Sequence, residues 1–111
     1  MENLFSYGTL QKEDVQMAVF GRTLDGRTDV LRGYKVCSIE IKDETFISRG
    51  EQRMQRTATV SDADTVDGMV FEISEQELLV ADIYEPTEFK RTRVTLASGK
   101  HSWIYIADAA A

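Results

Sequence analysis

The chain has little of the chemistry on which many catalytic and metal sites depend. Its 111 residues include one cysteine, one histidine and one proline. A single cysteine excludes an intrachain disulfide, and one cysteine with one histidine cannot make a typical zinc site. His101 is also the only histidine available to a Ser-His-Asp or Cys-His arrangement, and no local signature of either surrounds it. We therefore expect no metal site and no activated serine or cysteine nucleophile.

Long apolar runs and an excess of positive charge are missing as well. No stretch is long enough to cross a bilayer, and the first residues, MENLFSYG, lack the positive flank and apolar run of a secretion signal. The net charge of -6 disfavours a protein that binds by neutralising phosphates, and the GxxxxGK[ST] and GxGxxG patterns are absent. We expect no nucleic-acid partner, no membrane partner and a cytoplasmic location.

The chain does carry enough apolar residues for one domain with a core, because 42% of its residues are hydrophobic. We predict a single domain over residues 1–107 and a frayed tail over residues 108–111. Apolar residues near the start predict a short strand over residues 4–7. Helical spacing after it predicts a helix that ends at Gly21.

The middle of the chain is predicted as short strands around a polar loop. Residues 37–41 alternate between apolar and polar, which is typical of a half-buried strand. Residues 45–47 and 57–60 are predicted as two further short strands. Between them lies SRGEQRMQR, predicted as a solvated loop, with anion contact as the open alternative for its three arginines, Arg49, Arg53 and Arg56.

The second half carries clearer signals. Residues 69–73 alternate as a strand, and Ser74 precedes Glu77 by three residues, which is the spacing of a capping box. A helix is therefore predicted directly after Ser74, and it should stop before Pro86 because proline disfavours helical backbone at the preceding residue. Residues 94–106 predict two strands joined by a hairpin at Ser98-Gly99.

Two main helices among six or seven short strands indicate the α+β class. We predict a mixed, strongly curled sheet that approaches a small β-barrel, because such curling would manage the exposed strand edges.

Glu85 is the carboxylate that the local sequence positions most distinctively. Since Pro86 follows it, Glu85 lies at the end of the helix in an extended or turn conformation. Two interpretations are open at this point. Glu85 is either an ordinary surface carboxylate, or it lines a cleft beside Tyr84 and Phe89, where partial burial would raise its pKa and make it a usable base.

Several short motifs occur in the same order as in a known family. FSYGTL lies near the N-terminus, VDGMVFEIS precedes the second helix, residues 82–85 read Asp-Ile-Tyr-Glu, and residues 89–91 read Phe-Lys-Arg. The closing VTLASGKHSWIYIA is similar to the family's last hairpin. In this combination the chain resembles the gamma-glutamyl cyclotransferase-like family, in its small avirulence-induced-protein branch. It departs from the family at Pro86, where many members have Gly, and at Phe89, where Tyr is commoner.

The resemblance implies a fold of that family and a reaction that needs no metal or cofactor. In the family reaction the α-amine of a small γ-glutamyl compound attacks its own γ-carbonyl, which releases an amine and leaves 5-oxoproline. The resemblance assigns Glu85 as the general acid and base of this enzyme. Which amine is released, and the oligomeric state, are left open.

The resemblance also implies a set of residues around Glu85. Gly8 would let backbone N–H groups approach the substrate's carboxylate or oxyanion, and Thr9 would either add a hydrogen bond or cap the helix. For Tyr7 pocket lining and packing are both open, and for Arg91 an ion pair with Asp82 or Glu88 is favoured over substrate contact. The implied substrate-binding residues are Tyr7, Gly8, Thr9 and Leu10, and the implied supporting residues are Asp82, Tyr84, Phe89 and Arg91.

A different class of function stays open beside this one. The same scaffold can serve as a non-catalytic module that binds a small molecule, with Glu85 acting only as a binding group. A protein-interaction domain that uses an exposed sheet edge is a third interpretation.

Overall fold

The computed structural model describes residues 1–107, so the predicted tail over residues 108–111 lies outside the described part. Five strands and three α-helices follow one another along the chain. Their bounds are β1 Glu2–Ser6, α1 Glu13–Phe20, β2 Gly26–Glu40, α2 Glu44–Ser48, β3 Met54–Ile73, α3 Glu75–Tyr84, β4 Phe89–Thr95 and β5 His101–Ala107. A 3-10 turn, Thr9–Gln11, lies between β1 and α1.

The five strands form one mixed sheet in the order β2-β3-β1-β5-β4. The pairing of β1 with β5 is parallel, and the other three pairings are antiparallel. Successive residues of β1 point to opposite faces. Leu4 joins a buried cluster that includes side chains of the helices, and Phe5 joins a second cluster with Leu31, Val66 and Ile104.

The α+β class is confirmed, whereas the predicted barrel is wrong. β2 and β4 are the edges of the sheet, and within residues 1–107 no strand pairing joins them, so the sheet is open. The predicted count of six or seven strands is also wrong. β2 and β3 are 15 and 20 residues long and form one extended hairpin, in which a bulge shifts the pairing from Arg32–Thr65 to Tyr34–Val60. The short strands predicted from the sequence are therefore parts of one long strand pair, whose register shifts at the bulge.

The two main helices, α1 and α3, are confirmed with their predicted signals. Ser74 Oγ accepts the Glu77 N–H at 3.0 Å, and the Glu77 carboxylate accepts the Ser74 N–H at 2.9 Å, which completes the capping box. α1 ends at Gly21, whose φ of 73° is left-handed and therefore suits glycine.

Within residues 1–107 no helix has the length and apolarity that a membrane crossing would need.

A third, short helix occupies residues that were predicted as a strand. Over Glu44–Ser48 the side chain of Asp43 accepts hydrogen bonds from the N–H groups of Thr45 and Phe46. This cap favours a helical turn. It outweighs the strand preference of Thr45 and Ile47, and Phe46 is buried in the core.

Candidate active site

The topology brings separate parts of the chain to one edge of the sheet. Because β1 and β5 are parallel, their carboxyl ends lie at the same edge, and the loop after β1 meets the end of β5. β4 runs antiparallel to β5 and therefore starts there, directly after the turn that follows α3. β3 is antiparallel to β1, so its first residues extend beyond the end of β1.

A cleft lies where these segments meet. It combines the loop after β1 with the end of α3 and the starts of β3 and β4. Its volume is about 30 Å³, which accommodates a water molecule or two. The cleft is lined by Phe5, Ser6, Tyr7, Gly8, Thr9, Leu10, Phe46, Gln55, Arg56, Glu85, Pro86, Phe89 and Tyr105.

The backbone around Glu85 is held firmly at the end of α3. Glu85 has an extended conformation, with φ of -65° and ψ of 145°, and its N–H donates to the carbonyl of Ala81 at 3.0 Å. Arg49 donates to the carbonyl of Tyr84 at 2.9 Å, and the Asp43 carboxylate accepts the N–H of Thr87 at 3.0 Å. These contacts fix both sides of Glu85, so its side chain projects from a rigid position into the cleft lining.

The environment of Glu85 makes it a weaker acid than an ordinary glutamate. Burial, followed by the negative charges of Glu51 and Asp82, raises its pKa from 4.5 to about 8. Burial and the two negative charges all disfavour the ionised form of the Glu85 carboxylate. Between the two interpretations of Glu85 that the sequence left open, the geometry therefore favours a partly buried carboxylate in a cleft over an ordinary surface group.

The loop after β1 presents backbone donors to the same cleft. Within residues 1–107, the N–H groups of Thr9 and Leu10 have no hydrogen-bond acceptor, and the Gly8 N–H has a long contact of 3.3 Å with Ser6 Oγ. Gly8 also leaves space, because a Cβ built there would meet no atom within 4 Å. The loop thus offers N–H groups and room beside Glu85.

Tyr7 and Thr9 have defined partners in this loop. The Tyr7 hydroxyl donates to the carbonyl of Tyr105 at 2.7 Å, and burial raises the pKa of the Tyr7 phenol, so this hydroxyl stays protonated and acts as a donor. Tyr7 therefore both lines the cleft and packs. Thr9 Oγ1 lies 3.4 Å from the Tyr84 hydroxyl, and no side chain caps α1, whose N-cap is Lys12.

The four supporting residues take two different positions. Phe89 lines the cleft together with Glu85, whereas Tyr84 does not line it and instead packs its ring against Phe46, with centroids 5.7 Å apart. Asp82 accepts the Tyr105 hydroxyl at 2.6 Å and the Arg91 guanidinium at 2.8 Å. Arg91 thus forms the ion pair with Asp82, and this pair orients Tyr105, which lines the cleft.

Sequence reasoning missed several residues of the cleft. Arg56 and Gln55 enter it from the start of β3, and Phe46 enters it from α2, which was predicted as a strand. Glu51, which raises the pKa of Glu85, lies in the segment that was predicted as a solvated loop. The one available signal was the run of arginines, for which anion contact had been left open.

Comparison with known proteins defines the family. A family model described as gamma-glutamyl cyclotransferase, AIG2-like, matches residues 4–111. The chain therefore belongs to the gamma-glutamyl cyclotransferase, AIG2-like family, as the motif order predicted. No curated protein matches it by sequence.

Solved structures share the fold at low sequence identity. The solution structure of At5g39720.1 from Arabidopsis thaliana is 22% identical, with a TM-score of 0.78, and the alignment covers 99% of this chain and 70% of that one. At3g28950.1 from the same plant is 24% identical with a TM-score of 0.71, covering 96% and 61%. A structure described as gamma-glutamyl cyclotransferase is 15% identical with a TM-score of 0.68, covering 96% and 66%. The chain thus spans about two thirds of the length of these proteins, and they establish its fold.

Proposed function

We propose that the protein is a gamma-glutamyl cyclotransferase that converts a small γ-glutamyl amide into 5-oxoproline and a free amine. The observation that carries the proposal is one juxtaposition: partly buried Glu85 faces the same cleft as the loop after β1, where the N–H groups of Thr9 and Leu10 have no acceptor within residues 1–107. Family membership supports the same reaction.

In the proposed mechanism the substrate supplies its own nucleophile. The ionised carboxylate of Glu85 takes a proton from the substrate's α-ammonium, whose reference pKa is about 7.7 to 8.0. A pKa of about 8 at Glu85 makes this transfer nearly balanced, which is efficient for a general base. The freed amine attacks the γ-carbonyl, and the loop N–H groups stabilise the oxyanion.

The second half of the reaction returns the proton. Protonated Glu85 gives it to the nitrogen of the scissile amide, the carbon–nitrogen bond breaks, and the amine leaves. The ring nitrogen then gives its second proton to the ionised Glu85 carboxylate, which leaves the five-membered lactam, and the released amine takes that proton from Glu85. The protein's largest contribution in this scheme is to fold the glutamyl chain so that amine and carbonyl meet, and such positioning supplies about 7 to 11 kcal/mol in favourable cases. No metal or cofactor takes part, and the proposed setting is cytoplasmic.

The direct test is to incubate the purified protein with a panel of γ-glutamyl amides and detect 5-oxoproline by mass spectrometry. Formation of 5-oxoproline, together with loss of activity in Glu85→Gln, is the expected result. If no compound is converted while nuclear magnetic resonance detects binding of one of them, the protein is the non-catalytic binding module. That outcome overturns the proposed reaction and keeps the cleft as a ligand site.

The pH dependence of kcat/KM gives a separate prediction for Glu51. Since Glu85 must be ionised to act as a base, activity rises with pH through the Glu85 pKa of about 8. Glu51→Gln removes one of the charges that raise this pKa, so the acidic limb of the profile moves to lower pH. Glu75→Gln on the exposed face of α3 is the matched control, and its profile should coincide with that of the wild type. An unmoved limb in Glu51→Gln would show that the limb does not report Glu85.

A further inference from the structure

A groove separates the two main helices on the surface of the protein. Arg22, just after α1, pairs with Glu77 in the first turn of α3 at 2.8 Å, and the first turn of α1 lines the groove together with the last turn of α3. The two helices therefore run antiparallel on either side of it. The groove has a volume of about 470 Å³. Its walls are aliphatic side chains of both helices: Val15, Ala18, Val19, Val80 and Ile83.

The apolar surface continues from the groove onto the outer side of α3. Ile83 is 74% exposed, Leu79 is 54% exposed and Val80 is 43% exposed. Leu79 and Val80 lie four and three residues before Ile83, so both are its neighbours on the helix surface. Single exposed aliphatic residues are ordinary, whereas a contiguous exposed apolar patch marks a surface that another molecule covers. We call the groove and this patch together the α1–α3 surface.

The charges around the α1–α3 surface are negative. α1 and α3 contain no lysine or arginine, and their carboxylates are Glu13, Asp14, Glu75, Glu77 and Asp82. The last two of these pair with arginines outside the helices. Asp14 and Glu51 line the groove itself and belong to none of the ion pairs within residues 1–107. Arg49 also lines the groove, but it donates to the carbonyl of Tyr84 at 2.9 Å.

This combination of apolar walls and unpaired carboxylates selects among the possible occupants. A second copy of the chain would bring its own unpaired carboxylates to the contact, and like charges disfavour that arrangement. An anionic membrane surface is disfavoured for the same reason. An apolar segment flanked by lysine or arginine suits both features, because its apolar side chains fill the groove while its cations pair with Asp14 and Glu51. A helix suits the shape, since amphipathic helices bind by laying their apolar face into an apolar groove.

We propose that the α1–α3 surface docks an amphipathic helix of a partner protein, whose apolar residues are flanked by lysine or arginine. Val80 and Ile83 contact the apolar face of that helix, and Asp14 and Glu51 pair with its cations. The proposal does not depend on the reaction proposed for the cleft, whose lining includes none of these four residues. Failure of the docking proposal therefore leaves the proposed reaction as it stands, and the reverse also holds.

The test uses a synthetic helical peptide of leucine and lysine, with leucines at positions i, i+3, i+4 and i+7, and a counterpart with glutamate in place of every lysine. Nuclear magnetic resonance titration of nitrogen-15-labelled protein measures both the affinity and the residues contacted. We expect saturable binding of the lysine peptide only, with shift changes on α1 and α3. Ile83→Ser should weaken this binding about 10-fold or more, and Asp14→Asn about two- to fivefold.

Two substitutions on β3 are the matched controls. Val60→Ser removes an aliphatic side chain that is 71% exposed, and Asp62→Asn removes an exposed carboxylate, and neither residue lines the groove. Both variants should bind the lysine peptide as the wild type does. Because Ile83 and Val60 are exposed, neither serine variant should unfold at a markedly lower temperature, and thermal unfolding checks this.

Several outcomes overturn the proposal. Absence of saturable binding does so, and so does binding that Ile83→Ser and Val60→Ser weaken equally, because the peptide would then meet the acidic surface without using the groove. Equal binding of the glutamate peptide would remove the requirement for cations. A dimer in sedimentation equilibrium that Ile83→Ser dissociates would make the surface a contact between two copies. Flotation with phosphatidylserine vesicles that Ile83→Ser abolishes would make it a membrane contact.

Discussion

Glu85→Gln is expected to lower turnover by about 10²- to 10⁴-fold and, at the same time, to make the protein more stable above neutral pH. The loss follows from removal of the general base, whose usual contribution has that size. Glutamine has nearly the same shape as glutamate and carries no charge. The variant should therefore keep the fold and the cleft while it loses proton transfer.

The gain in stability follows from the raised pKa of Glu85. Its pKa is about 8 in the folded protein and about 4.5 in the unfolded chain. Between these values the folded state holds a proton that the unfolded state has lost, so the free energy of unfolding decreases as pH rises through this window. Glutamine removes this penalty. The stabilisation should be absent below about pH 4, should grow between pH 4.5 and pH 8, and should level off on the order of 5 kcal/mol.

The measurement is urea unfolding of the two proteins at several pH values, together with the 5-oxoproline assay. Glu75→Gln, at an exposed position of α3, is the matched control and should change neither activity nor the pH dependence of stability. A Glu85→Gln variant that is inactive and no more stable at pH 8 than the wild type would contradict the partial burial of this carboxylate.

Two glycines should respond oppositely to substitution by alanine. A Cβ at Gly68 on β3 would lie 2.5 Å from the carbonyl oxygen of Ser6 and 2.6 Å from Cζ of Phe5, so the backbone of β1 or a buried ring must shift. Gly68→Ala should lower the free energy of unfolding by about 2 to 3 kcal/mol and the Tm by about 10 °C or more. A Cβ at Gly8 meets no atom within 4 Å, so Gly8→Ala should change stability by less than about 0.5 kcal/mol.

The effect on activity should be the reverse. The methyl group of Gly8→Ala would occupy space beside the N–H groups that are proposed to receive the substrate, and a displacement of about 1 Å there lowers the rate by up to about 100-fold. Thermal unfolding measures the effect of each variant on stability. The 5-oxoproline assay, at a temperature where both variants are folded, measures the effect on activity. If Gly8→Ala is fully active, the close approach of substrate to this loop is refuted.

Local elements of this fold were predictable where a short-range interaction decides them. The capping box of Ser74 and Glu77 starts α3, Pro86 ends it, and Gly21 ends α1, and each of these depends on neighbours within a few residues. The strand predicted over residues 45–47 fails because the carboxylate of Asp43 caps a helical turn there. This cap is also a local interaction, and it competes with the strand preference of Thr45 and Ile47. The burial of Phe46 in the core favours the helix.

The sheet itself was not determined at short range. Whether β2 pairs with β4 and closes the sheet depends on contacts between residues far apart in sequence. The apolar periodicity of the sequence does not encode those contacts. The same limit applies to the cleft. Arg56 and Glu51 are separated from Glu85 by about thirty residues of chain, and only the packing of β3 and α3 places them in one environment.

By itself the sequence determined the family, the α+β class, the ends of the two main helices and the candidate role of Glu85, because short motifs carry all of these. The tertiary structure alone decided that the sheet is open, that Glu85 is partly buried with a raised pKa, and that Arg56 lines the same cleft as Glu85. The physical reason is that desolvation and charge interactions depend on distance in space. Distance in space is set by the pairing of strands that lie far apart along the chain.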